Sequence, residues 1–119
     1  MPRAPATTGW RALLALLALA VCWLAFTPNP PPQIDTGWDK LNHVLAFASM
    51  AFCASRGFHH APRRHLGVPL GLLAFGVFIE LVQSQIPGRS AEARDVLADA
   101  VGIAAGLLLA TTWRRFVRA

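Results

Sequence analysis

Four apolar blocks joined by short polar connectors restrict this chain to very few folds. Trp10 to Phe26 is apolar on every face apart from Arg11, and Leu66 to Ile86 and Val96 to Trp113 carry only a few polar exceptions. A helix in water needs a polar face, and these stretches lack one. At about 1.5 Å per residue each can cross, or nearly cross, a hydrocarbon core of roughly 30 Å, which takes about 17 to 25 residues. The remaining block, Leu41 to Ser55, is shorter and carries Asn42, His43 and Ser49, so taken alone it also fits a re-entrant or interfacial segment. Taken together the blocks predict an all-α membrane protein, a four-transmembrane-helix bundle with spans at about residues 10–27, 40–55, 66–86 and 95–113 in a single domain over residues 1–119.

The charges give this bundle an orientation. Arg3, Arg11, Arg56, Arg63, Arg64, Arg114, Arg115 and Arg118 fall at one set of predicted helix ends, and Asp35, Asp39, Glu80, Glu92, Asp95 and Asp99 fall at or near the other. Placing the N-terminus, the Arg56 to His65 loop and the C-terminus in the cytoplasm puts eight of the eleven Lys and Arg residues inside. Only Lys40, Arg89 and Arg94 remain outside. The net charge of +5 is therefore the sum of a basic inner face and an acidic outer one. The sequence pI near 11.1 is not a sign of nucleic-acid binding, because the arginines border apolar spans with no interleaved RNA-binding motif. Insertion topology explains them, and attraction to anionic lipid follows from it.

Arg3 and Arg11 ahead of an apolar run also resemble a signal peptide. No small-x-small site follows Phe26, however, where the chain reads Thr27-Pro28-Asn29-Pro30-Pro31-Pro32, and Cys22 lies inside the apolar run. The segment is expected to be a retained anchor. Cys22 and Cys53 sit at different predicted depths, so a disulfide, which needs Cα atoms within about 7 Å, is not expected. The proline-rich stretch Thr27 to Trp38 is expected to run extended over the outer surface. On the inner side, His59, His60 and His65 lie among three arginines and read as a solvated basic loop; no metal site and no cofactor is predicted from it.

Three short polar runs carry whatever chemistry there is. In Asp39-Lys40-Leu41-Asn42-His43, spacings of four put Asp39, His43 and Phe47 on one helical face, with Lys40 beside them. The second run holds Glu80 and Gln83, followed by Ile86-Pro87-Gly88-Arg89, and the third holds Asp95 and Asp99, leading into Gly102 and Gly106. All three lie toward the outer leaflet. An Asp, Lys or Arg at a span centre costs about 2.5 to 3.5 kcal/mol on insertion scales, so these groups need partners. For Glu80, about 9 Å inside the predicted end of its helix, the expected partners are His43, Lys40 or Arg89. Such residues can also serve only to join helices, and Gly102-xxx-Gly106 and Gly67-xxx-Gly71 suit close packing in the same way. Glycine and serine suffice for packing, whereas Glu80 points toward function.

In this order and spacing, Asp39-Lys40-xx-His43-xxx-Phe47, Glu80-xx-Gln83, Pro87-Gly88-Arg89 and Asp95-xxx-Asp99-xx-Gly102-xxx-Gly106 resemble the signature of the VanZ-like family. The resemblance runs from about Trp38 to Gly106. It implies a small multi-pass protein of the bacterial plasma (inner) membrane and cell envelope, and the founding member is associated with low-level teicoplanin resistance. One departure is Asp99, a position that is commonly Asn in the family.

Two classes of function follow. As a binding protein, the outer cluster of Asp39, Lys40, His43, Glu80, Gln83, Arg89, Asp95 and Asp99 would hold a membrane lipid headgroup, a cell-wall lipid intermediate or a lipoglycopeptide, with Lys40 and Arg89 on anions. As a membrane-embedded hydrolase or transferase, His43 would act as acid or base, oriented by Asp39 or Glu80. The second reading lacks a nucleophile, since no serine lies in a GxSxG elbow. A metal-assisted variant through His43, Glu80 and Asp99 is a weak zinc signature on sequence grounds. A transporter would require oligomers, because four spans offer no midplane site and no internal repeat.

Overall fold

The chain forms four helices in the computed structural model, which describes residues 4–27, 39–87 and 92–118. They are α1 (Ala4–Phe26), α2 (Asp39–Gly57), α3 (Arg64–Gln83) and α4 (Ala93–Arg118), and no strand occurs among the described residues. Thr7–Phe26, Arg64–Gln83 and Ala93–Val117 are long and apolar enough to cross a membrane. Their outward faces are apolar as well: Leu16, Leu19, Leu70, Leu97 and Leu108 are all well exposed. A surface of this kind suits hydrocarbon and would be a liability in water.

α2 is the exception by composition and the centre by position. It packs most extensively on α4 and also against α1 and α3. Phe47, Met50 and Ala51 of α2 form the core with Ile79 of α3, Ile103 of α4 and Ala25 of α1. A helix surrounded by other helices meets protein where the others meet lipid, so its polar residues can be satisfied inside the bundle. That explains why its apolar run is short.

The α2–α4 contact is close because α4 presents glycine there. A Cβ on Gly102 would lie 2.5 Å from the Val44 carbonyl oxygen, and one on Gly106 would collide with the carbonyl oxygen of Ala48. Gly67 and Gly71 behave differently from expectation. Added Cβ atoms there would meet nothing within 4 Å, so this repeat does not join helices within the chain. Both glycines instead line an apolar cavity of about 380 Å³ with Leu14, Ala54, Phe58 and Leu72.

The basic helix ends are tied together by short contacts. Arg11 donates from Nε to the Gly57 carbonyl at 2.8 Å and lies over the Phe58 ring, while Arg64 donates to the His59 carbonyl at 2.8 Å. Carbonyls at the C-terminus of α2 have no helical partner, and the Arg11 side chain caps one of them. Trp10, Phe52 and Trp113 then form an edge-to-face aromatic chain from α1 through α2 to α4.

At the opposite end α3 stops three residues before the expected Ile86. Ser84 caps it, Gln85 and Ile86 bond back to Val82 and Gln83, and Pro87 follows, which cannot continue a helix. Glu80 therefore sits one turn from the helix end, about 4.5 Å deep by the helical rise, and not the expected 9 Å.

Candidate functional site

The acidic ends of α2, α3 and α4 meet, and helix geometry explains which side chains converge. Lys40 and His43 are three apart on α2, and Glu92, Asp95 and Asp99 follow spacings of three and four at the start of α4, so each set projects from one face. Glu80 reaches them from the last turn of α3.

The contacts run from the surface inward. Lys40 Nζ donates to Glu92 Oε1 at 3.1 Å and to Asp95 Oδ1 at 2.6 Å. One turn deeper, His43 Nδ1 lies 2.7 Å from Asp99 Oδ1, and its Nε2 lies 3.6 Å from Asp95 Oδ2. Glu80 Oε2 accepts the backbone N–H of Glu92 at 2.9 Å. Side-chain exposure falls from 51% at Glu92 through 24% at Lys40 and 12% at His43 to 1% at Asp95. Asp99 is fully enclosed.

Part of this arrangement is structural. Glu92 immediately precedes α4, so its N–H is near the unsatisfied donors of a helix N-terminus, and the Glu80 carboxylate meets it there. Asp95, in the first turn, also lies on the favourable side of the helix dipole. That dipole supplies only about half an elementary charge. Four carboxylates face one lysine ammonium, so the described cluster is acidic.

His43, Glu80 and Asp95 stand closest to a ligand set: each presents a nitrogen or oxygen, and these atoms lie within 4.8 Å of one another. The histidine is also placed for acid–base work. With Asp99 ionised, the proton of their shared bond sits on Nδ1 and the Nε2 lone pair faces Asp95. No hydroxyl nucleophile accompanies it among the described residues, since Ser84 donates to the Leu81 carbonyl and Ser49 to that of Leu45.

Of the residues singled out by sequence, Lys40, His43, Glu80, Asp95 and Asp99 come together here. Gln83 turns away. Its Nε2 donates to the Ala25 carbonyl at 3.0 Å, capping the C-terminal end of α1 and tying it to α3. Arg89 lies outside the described residues, as does the side chain of Asp39, whose backbone opens α2. The histidine bonds Asp99, and Lys40 holds Glu92 and Asp95.

Two contributors escaped sequence reasoning. Glu92 stands in the sequence only as one of the six outer acids, yet its side chain accepts from Lys40 and its N–H holds the Glu80 carboxylate. Gly76 is an isolated glycine in an apolar run, yet a Cβ there would collide with Asp99 Oδ2. Its missing side chain is what admits the buried acid.

No curated protein and no solved structure matches the chain. The VanZ/LLP1 family model matches residues 23–114, from the last turn of α1 through nearly all of α4. That stretch contains every residue of the acidic cluster, and on this match the chain belongs to the VanZ/LLP1 family.

Proposed function

We propose that this protein is a four-span envelope protein of the bacterial plasma membrane, with both termini cytoplasmic, whose outer polar cluster binds the head of a membrane-anchored ligand. The observation that carries this is the graded exposure from Glu92 down to Asp99, a polar path from the surface into the helix ends. Ionisable groups at that depth are expensive and are characteristic of binding or relay sites. The ligand classes are a lipid headgroup, a cell-wall lipid intermediate and a lipoglycopeptide, the last linking the site to teicoplanin susceptibility. Lys40 already serves Glu92 and Asp95, so amine and hydroxyl donors on the head suit the carboxylates directly. An anionic head would draw on Arg89, which lies outside the described residues, or on added positive charge.

The test replaces His43 and Glu80 separately with Ala and Asp39 with Asn, then measures membrane abundance beside glycopeptide and envelope-stress susceptibility. Abundant protein with altered susceptibility is the expected result. Loss of every variant from the membrane would reduce the cluster to a folding role. A second reading, hydrolysis or transfer at an ester or phosphoester, has one observation in its favour: Asp99 orients His43 as an acid–base group requires. It predicts a lipid that accumulates in the His43→Ala strain.

A further inference from the structure

We propose that His43, Glu80 and Asp95 bind a divalent transition-metal ion of mixed nitrogen and oxygen preference, with Asp99 as the residue that positions the histidine. This goes beyond headgroup binding and stands or falls apart from it, because its readout is metal and not lipid.

Three features point to a cation. Glu80 is 9% exposed, and its Oε1 is buried with no donor from another residue, in a carboxyl group that lies against that of Asp95, while Oε2 is held by the Glu92 N–H. A buried carboxylate oxygen left without a donor is costly, and a cation satisfies it. Second, the Nε2 edge of His43 faces Asp95 Oδ2 at 3.6 Å. A neutral imidazole with its proton on Nδ1 would set a lone pair against a carboxylate, and a positive ion between them reverses that repulsion. Third, the bond of 2.7 Å from Nδ1 to Asp99 makes a carboxylate–histidine pair of the kind that orients metal-bound imidazoles.

The donor set decides the class of ion. One imidazole with carboxylates suits zinc and its transition-metal neighbours, whereas calcium and magnesium favour oxygen alone. Ligands about 2.1 Å from a tetrahedral ion lie on the order of 3.4 Å apart. The present spread of up to 4.8 Å therefore closes by rotation of the Glu80 and Asp95 side chains. Helices α2, α3 and α4 contribute one ligand each, so an ion here would also pin the outer end of the bundle. With Lys40 engaged by Glu92 and Asp95, it would add positive charge toward an anionic head.

The experiment titrates zinc into the full-length, chelator-stripped protein in detergent, with bound metal measured by elemental analysis. Stoichiometric binding is expected, weakened at least about tenfold in His43→Gln and in Glu80→Gln. Binding should be unchanged in the His59→Gln/His60→Gln double variant of the basic loop. X-ray absorption of the zinc-loaded wild type requires no variant to fold, and should show one imidazole with oxygen ligands. Absence of saturable zinc binding overturns the proposal. So does binding that disappears in the His59/His60 variant, or a spectrum with two or more imidazoles.

Discussion

His43 of α2 and Asp99 of α4 meet at 2.7 Å in a space that Gly76 of α3 keeps open, so one hydrogen bond depends on three helices. The acid is fully enclosed and the histidine nearly so. Each fixes the position of the other. The relationship gives separate consequences for the acid and for the glycine.

Asp99→Asn retains an acceptor for the Nδ1 proton and nearly the same volume, and should leave folding close to wild type. Asp99→Ala removes the acceptor and leaves a buried donor unsatisfied, at a cost of about 1–3 kcal/mol. Thermal unfolding of both variants in one detergent measures the difference. Equal losses would mean that the hydrogen bond contributes nothing to the bundle.

Glycine substitutions should divide by neighbour and not by motif. Gly76→Ala and Gly106→Ala each place a Cβ against occupied space, Asp99 in one case and the Ala48 carbonyl in the other, and should cost about 1–3 kcal/mol as overpacking does. Gly67→Ala and Gly71→Ala open onto empty space and should stay within about 0.5 kcal/mol. Stability of the four variants side by side checks this. A large loss at Gly71 would reveal a neighbour absent from the single chain, such as a second copy.

These two glycine pairs show what the sequence could and could not convey. Gly67-xxx-Gly71 and Gly102-xxx-Gly106 are the same pattern, and only the second lies under a neighbouring backbone, because α2 runs past α4 there. Long apolar runs made three helices legible, since lipid exposure demands apolar residues on every face. α2 was least legible because its neighbours are protein. Within the site, helical spacing aligned Asp95 with Asp99, and positive-inside counting placed the runs at one end. The pairing of His43 with Asp99 depends on helix order and rotation, which a one-dimensional pattern lacks. The depth of Glu80 was overestimated because the expected span ran on to Ile86, past the polar Ser84 and Gln85, whereas the helix ends at Gln83.

Gln83 and Glu80 are three residues apart yet should respond to different measurements. Gln83→Ala exposes the Ala25 carbonyl at the end of α1 and should destabilise the bundle by about 1–3 kcal/mol, with zinc affinity per folded molecule unaltered. Glu80→Gln should lower zinc affinity instead. Unfolding and metal titration on the two proteins separate a cap from a ligand. A Gln83→Ala protein that is fully stable but loses zinc would reverse the assignment.

Whether α2 crosses the bilayer determines which side the cluster faces. Ser84 lies just beyond α3 beside the acidic ends, and His60 lies beyond α2 at the basic ends; both are exposed. In a background with Cys22 and Cys53 replaced by Ala, Ser84→Cys should react with a membrane-impermeant maleimide added to intact spheroplasts. His60→Cys should react only after lysis. This outcome requires α3 to cross from the inner to the outer side, and, with α1 crossing outward before it, α2 to cross inward, as the basic residues at one end predict. Labelling of both cysteines from outside would mean that α3 does not cross, and would remove the four-span bundle. Labelling of His60→Cys alone would mean that α2 is re-entrant or that the whole orientation is inverted, and either would put the α3 end that carries Glu80 in the cytoplasm, where no lipoglycopeptide could reach it from outside.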